Sequence, residues 1–144
     1  MRTILFLDIT GVLFCRRCDG DSCGHLANLA RIVATLDCDI VLSSSFRFSP
    51  RATASLDRGF AEHAIPAWIG VTPDLGDARW QEIRAWVEEH DAWHDRLVIL
   101  DDRTDADLAR HVPDAGNCHF FLADIDTGLD DDLTAAVLRL ATTA

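Results

Sequence analysis

Asp8 ends the apolar run Thr3-Ile4-Leu5-Phe6-Leu7. Ser43 ends Asp39-Ile40-Val41-Leu42, and Asp101-Asp102 end Arg96-Leu97-Val98-Ile99-Leu100. A carboxylate at the end of a buried run has a structural cost, which makes a functional role the better explanation. If the runs are parallel strands of one sheet, their ends share one edge and these side chains converge. Converging carboxylates repel each other unless a positive charge lies between them. A hard divalent cation such as Mg²⁺ suits an all-oxygen set, usually one or two carboxylates plus a phosphate. Ser43 offers a hydroxyl, and Arg79 a fixed positive charge at the start of the helix before the Arg96 run. Both suit a phosphoryl group, whose transfer depends mainly on positioning and charge stabilisation. Asp8 is then free to attack phosphorus as a nucleophile, giving an aspartyl-phosphate.

Helices must separate these strands. Leu26, Leu29, Ile32, Val33 and Leu36 recur at helical spacing and predict a helix from His25 to Leu36. Ser49-Pro50 reads as an N-cap followed by proline in the first turn of a second helix carrying Leu56 and Phe60. Ala67 to Val71 is a short third strand. Asp77 can cap a helix carrying Trp80, Ile83, Trp86 and Val87, and a short helix is expected from Asp105 to His111. Cys118 to Leu122 is the fifth strand. Leu133, Ala136, Val137 and Leu140 stripe a last helix, with Asp130, Asp131 and Asp132 in its first turn. Five strands alternating with helices imply an α/β fold, with a mainly parallel five-stranded sheet between two helical layers. The chain reads as one domain over residues 1–144, with residues 14–24 as a loop or flap insert.

The chain is 49% hydrophobic and carries a net charge of −11, with 24 acidic residues against 13 basic ones, all arginine. That balance argues against broad nucleic-acid binding through counterion release. A local basic patch is still compatible with it, and Arg16, Arg17, Arg47, Arg51 and Arg79 fall near the expected sheet edge, where an anionic substrate would sit. No apolar run approaches the length of a membrane span, and Met1-Arg2-Thr3 passes straight into the first strand without a signal-peptide cleavage site. The expectation is a soluble cytoplasmic protein.

In chain order these residues resemble the four motifs of the haloacid dehalogenase (HAD) superfamily. Asp8-Ile9-Thr10-Gly11-Val12-Leu13 resembles the first, Val41-Leu42-Ser43 the second, Arg79 the third, and Leu100-Asp101-Asp102-Arg103-Thr104-Asp105 the acidic fourth. Ser43-Ser44-Ser45-Phe46-Arg47, Ile69-Gly70-Val71-Thr72-Pro73 and Thr127-Gly128-Leu129 resemble a compact group of HAD domains found in bacterial RNA-repair proteins. The resemblance implies a Rossmann-like, HAD-type three-layer sandwich. It implies a Mg²⁺-dependent phosphohydrolase or phosphotransferase in which Asp8 is nucleophile and metal ligand. The Thr10 carbonyl would be a second ligand, and Asp101 or, preferably, Asp102 a third. Ser43, or failing it Ser44, would bind the phosphoryl oxygens; Arg79 would balance their charge and Arg47 would meet substrate.

Two departures matter. Thr10 stands where most HAD phosphatases carry a second Asp that protonates the leaving group and then activates water, a role typically worth about 10²–10⁴-fold. P-type ATPases also carry Thr there. Slow hydrolysis, transfer to another acceptor, or a catalytically weak HAD-like binding or regulatory module all follow from that substitution. The segments between motifs are too short for a folded cap, and uncapped members tend to act on large substrates, here a polynucleotide end or a phosphoprotein. Separately, Cys15, Cys18, Cys23 and His25 supply three thiolates and an imidazole that could form a tetrahedral Zn²⁺ site, although the spacing matches no familiar signature.

Overall fold

A computed structural model describes residues 2–17, 24–76, 78–115 and 117–142, with Phe46 described by its backbone. Cys18, Cys23 and Asp77 lie outside the described residues. The strands are β1 (Thr3–Leu7), β2 (Cys38–Leu42), β3 (Gly70–Val71), β4 (Arg96–Asp101) and β5 (Asn117–Leu122), in the order β3-β2-β1-β4-β5. Every pairing is parallel. The helices are α1 (His25–Leu36), α2 (Pro50–Glu62), α3 (Arg79–Glu89), α4 (Leu108–His111) and α5 (Asp131–Leu138).

The two-residue period of the strands sorts their side chains into two cores. Leu5, Leu7, Ile40, Leu42, Val98 and Leu100 face α1, α2 and α5, packing with Leu29, Ile32, Leu56, Phe60 and Val137. Ile4, Phe6, Val41, Leu97 and Ile99 face the other way, against Ile83, Trp86 and Val87 of α3 and Leu108 of α4. Strand β1 is buried on both faces, as its unbroken apolar run requires.

Local signals place most helix ends. The Ser49 hydroxyl accepts from the Ala52 N–H with Pro50 in the first turn, and Asp130 accepts from the Leu133 N–H. Two expectations change. Strand β3 is shorter than Ala67–Val71, and its Gly70 lies against Trp86, where a Cβ would come within 3.1 Å of the indole nitrogen. The Asp105–His111 helix is split into a 3₁₀ turn, Thr104–Ala106, and α4. The start of α3 is capped across the fold, because the Asp105 carboxylate accepts from the Arg79 N–H at 3.0 Å. No described helix is long and apolar enough to cross a membrane.

Candidate active site

The register builds the site. Leu7 pairs with Leu42 on one side and Leu100 on the other, and Leu42 pairs with Val71. The ladder continues one residue further: Asp8 donates to the Leu100 carbonyl (3.0 Å), Ser43 to Leu7 (3.1 Å) and Thr72 to Leu42 (3.0 Å). Thr72, Ser43, Asp8 and Asp101 therefore form one polar row across four strands. Asp8, Ser43 and Asp101 lie two residues after Phe6, Val41 and Ile99 on the α3 face, and Thr72 two after Gly70, where a Cβ would meet Trp86 of α3, so the row faces α3. Every member is buried.

From α3, Arg79 reaches into the row. Its Nη1 lies 2.6 Å from Asp101 Oδ2 and 3.3 Å from Asp8 Oδ1. The other Asp101 oxygen accepts from the Arg103 N–H at 3.0 Å. Asp102, less buried, comes close enough to share a hydrogen bond with Asp8. Ligand oxygens of Asp8, Asp101 and Asp102 lie within 4.8 Å of one another, and this is the one such group among the described residues. Burial, then the Asp102 carboxyl, push Asp8 up to about 6 against the opposing pull of Arg79 and of a hydrogen bond from Ser44. Burial, then the charge of Asp8, push Asp101 up to about 8. Asp8 and Asp101 flank the Arg79 guanidinium with Asp102 beside Asp8, and the hard oxygen donors of the three acids fit Mg²⁺. Both Asp101 oxygens are engaged by protein donors, which leaves Asp102 as the acid of the Asp101–Asp102 pair better able to take a metal.

The approach of Asp102 depends on Gly11. This residue has φ +90°, and a Cβ there would lie 2.7 Å from Asp102 Cγ and closer still to its Oδ2. The turn around it is held by Gly11 N–H to the Phe14 carbonyl (2.9 Å) and Leu13 N–H to that of Ile9 (2.9 Å). Thr10, between Asp8 and Gly11, is exposed.

The two serines divide differently from the expectation that Ser43 takes the phosphoryl role. Ser43 Oγ is fully buried and has no hydrogen-bond partner among the described residues. The hydroxyl that meets Asp8 belongs to Ser44. Arg47 is also placed differently from the substrate contact expected of it. Its guanidinium is buried and directed at the protein, with Nε on the Thr72 carbonyl (2.7 Å) and Nη1 on those of Ser44 (2.6 Å) and Ser43 (3.4 Å). Nη2 meets the Pro73 carbonyl (3.0 Å) and Glu82 Oε2 (3.1 Å). Of Thr72 and Glu82, both buried beside the site, Thr72 falls in a stretch that carries the resemblance but is given no role there, and Glu82 falls in none. A polar residue directly after β3, and an acid one turn after Arg79, were the available signals. Of the other arginines, Arg16 is exposed and 3.9 Å from Asp126, and Arg17 and Arg51 are exposed.

Of the cysteine cluster, Cys15 and His25 are described. Cys15 Sγ lies 3.3 Å from His25 Nε2 in a buried contact, closed by Gly128, where a Cβ would sit 2.9 Å from that nitrogen.

A parallel sheet with acids, serine and arginine at its carboxyl edge defines a HAD-type phosphoryl-transfer architecture. The family model for the HAD domain in Swiss Army Knife RNA repair proteins matches residues 4–133, and the chain belongs to that family. Comparison with curated proteins and with solved structures finds no match.

Proposed function

We propose that this chain is a Mg²⁺-dependent phosphohydrolase or phosphotransferase that works through an aspartyl-phosphate at Asp8. The observation that carries the reading is the convergence of Asp8, Asp101 and Asp102 on one edge, with Arg79 between Asp8 and Asp101 and the Ser44 hydroxyl on Asp8. A carboxyl with its pKa near 6 is mostly ionised at neutral pH and can attack phosphorus. The Asp8–phosphorus bond forms as the ester oxygen–phosphorus bond breaks, and the departing oxygen takes its proton from solvent, because Thr10 has none to give at neutral pH. Ser44 and Arg79 hold the phosphoryl oxygens. Water or a second alcohol then attacks phosphorus and frees Asp8. Asp8, Asp102 and the Thr10 carbonyl would hold Mg²⁺, which when bound neutralises phosphoryl charge. Gly11→Ala, which drives a methyl into Asp102, is expected to weaken Mg²⁺ binding by about tenfold or more, read by calorimetric titration.

The substrate we favour is a polynucleotide end. A cleft of about 290 Å³ opens beside Arg79, lined by Ser45, Arg47, Phe48, Asp74, Gly76, Glu82 and Arg103, with the Phe48 ring half exposed. The family's description ties such domains to RNA repair. The net charge of −11 favours capture of a terminus over tracking along a backbone.

The test has two arms. Beryllium fluoride with Mg²⁺ should give a bound fluorine signal by NMR in the wild type and none in Asp8→Asn. Phosphate release should be compared on 5′- and 3′-phosphorylated oligonucleotides, a phosphopeptide and an aryl phosphate. A fluoride adduct without turnover on any substrate would favour the binding module implied by Thr10. No adduct and no turnover would refute the aspartyl-phosphate reading.

A further inference from the structure

We infer that Arg47 and Glu82 form a positioning clamp that fixes the Ser44 hydroxyl and Arg79 relative to Asp8; the inference rests on the phosphoryl-transfer reading above. A guanidinium has five N–H donors in a rigid plane. Arg47 has five acceptors in reach: the carbonyls of Ser43, Ser44, Thr72 and Pro73, and Glu82 Oε2. These acceptors belong to three different parts of the fold. Ser43 and Ser44 follow β2, Thr72 and Pro73 follow β3, and Glu82 lies on α3.

The clamp closes through Glu82. Its Oε2 also accepts from the Leu75 N–H at 3.0 Å, so the same oxygen ties the loop after β3 to α3. Glu82 is three residues after Arg79 on the same helix, so its tether and the Asp105 cap at the Arg79 N–H both fix the end of α3 that carries Arg79. The short bond to the Ser44 carbonyl, 2.6 Å, restrains the backbone of the residue whose hydroxyl meets Asp8. Arg47 and Glu82 are both almost entirely buried. A buried ion pair is weak evidence of a stability role, because desolvation of both charges offsets their attraction. A role in geometry explains the pair better, and only a planar five-donor group can hold both strand ends at once. Lysine, with three donors at one point, cannot.

Misplacing a reacting group by about 1 Å can cost on the order of 10²-fold. Arg47→Lys is therefore expected to lower kcat about 10–100-fold, a larger change than any in KM. Glu82→Ala should behave like Arg47→Lys, and Glu82→Gln, which keeps an oxygen for both donors, should recover most of the loss. The decisive readout is a double-mutant cycle with Ser44→Ala. If Arg47 acts through Ser44, adding Arg47→Lys to Ser44→Ala should cost far less than it does alone. Melting curves identify the folded variants; if Arg47→Lys does not fold, Glu82→Ala takes its place in the cycle. An effect confined to KM, or losses that multiply in the cycle, would overturn the clamp while leaving the phosphoryl-transfer reading intact. If the wild type binds beryllium fluoride without turnover, the cycle is run on that affinity with the same expectation. A wild type inert in both assays overturns the clamp together with the reading it rests on.

Discussion

Asp8→Asn is expected to abolish phosphoryl transfer and, in the same protein, to raise the melting temperature of the metal-free form. The loss follows from the nucleophile. The gain follows from charge. Asp8 and Asp101 flank Arg79 with Asp102 beside Asp8, and burial of Asp8 and Asp101 holds both well above the ordinary carboxylate range. A folded-state pKa raised above its unfolded value means that ionisation opposes folding. For these acids the stability present at low pH is lost as pH rises from about 4 through about 6 for Asp8 and about 8 for Asp101. Ionised Asp8 therefore opposes folding at pH 8. Asparagine removes that charge and the repulsion it exerts on Asp101, so the metal-free variant is expected to melt a few degrees above the wild type. Thermal melts in chelator between pH 5 and 8 provide the check. The wild type should lose stability across that window and Asp8→Asn should lose less. Mg²⁺ should raise the wild type more than the variant. A wild-type melting temperature that climbs with pH, or an Asp8→Asn protein that melts below the wild type at pH 8, would contradict this account of the cluster.

The same crowding explains what could be read from the sequence. A buried parallel strand must be apolar along its length, so the first polar residue after each run marks the sheet edge. Asp8, Ser43 and Asp101 were visible for that reason, and the HAD-type fold with them. What the run ends do not reveal is where the last side chains point. Ser43 extends the ladder by one residue, so strand parity sets its hydroxyl in the buried row, and Ser44, beyond the ladder, turns its own to Asp8. Nor does the sequence reveal where a long side chain's donors go. Arg47 was expected to meet substrate because it lies near the edge, whereas its guanidinium faces carbonyls from β-strand ends 25 or more residues apart. The Asp105 carboxylate at the start of α3 is hidden for the same reason: it accepts from the N–H of Arg79, 26 residues earlier. Interactions within a turn of the chain were legible. Those made by tertiary proximity required the register.

Thr10→Asp is expected to accelerate turnover by about 10²-fold, within the range of about 10²–10⁴-fold typical of a positioned acid or base. Thr10 is exposed and follows Asp8 by two residues, on a turn held by backbone bonds of Gly11 and Leu13 rather than by its own side chain. A carboxylate there remains hydrated, so it adds little to the burial cost borne by Asp8 and Asp101. The effect should depend on the leaving group in an informative way. If formation of the aspartyl-phosphate limits the wild type, a carboxylic acid at position 10 helps most when the departing oxygen is basic, and an alkyl phosphate gains more than an aryl phosphate. If hydrolysis of the intermediate limits, the carboxylate acts as base toward water and both substrates gain equally. In that second case the wild type should show a burst of product followed by a slow phase, and Thr10→Asp should remove the burst. Thr10→Asn, similar in size but without a transferable proton, separates proton transfer from a change in shape and should remain slow. An unchanged rate for Thr10→Asp on both ester types would mean that some other group already moves the proton. Equal gains for Thr10→Asp and Thr10→Asn would mean that the threonine limits the enzyme by its shape.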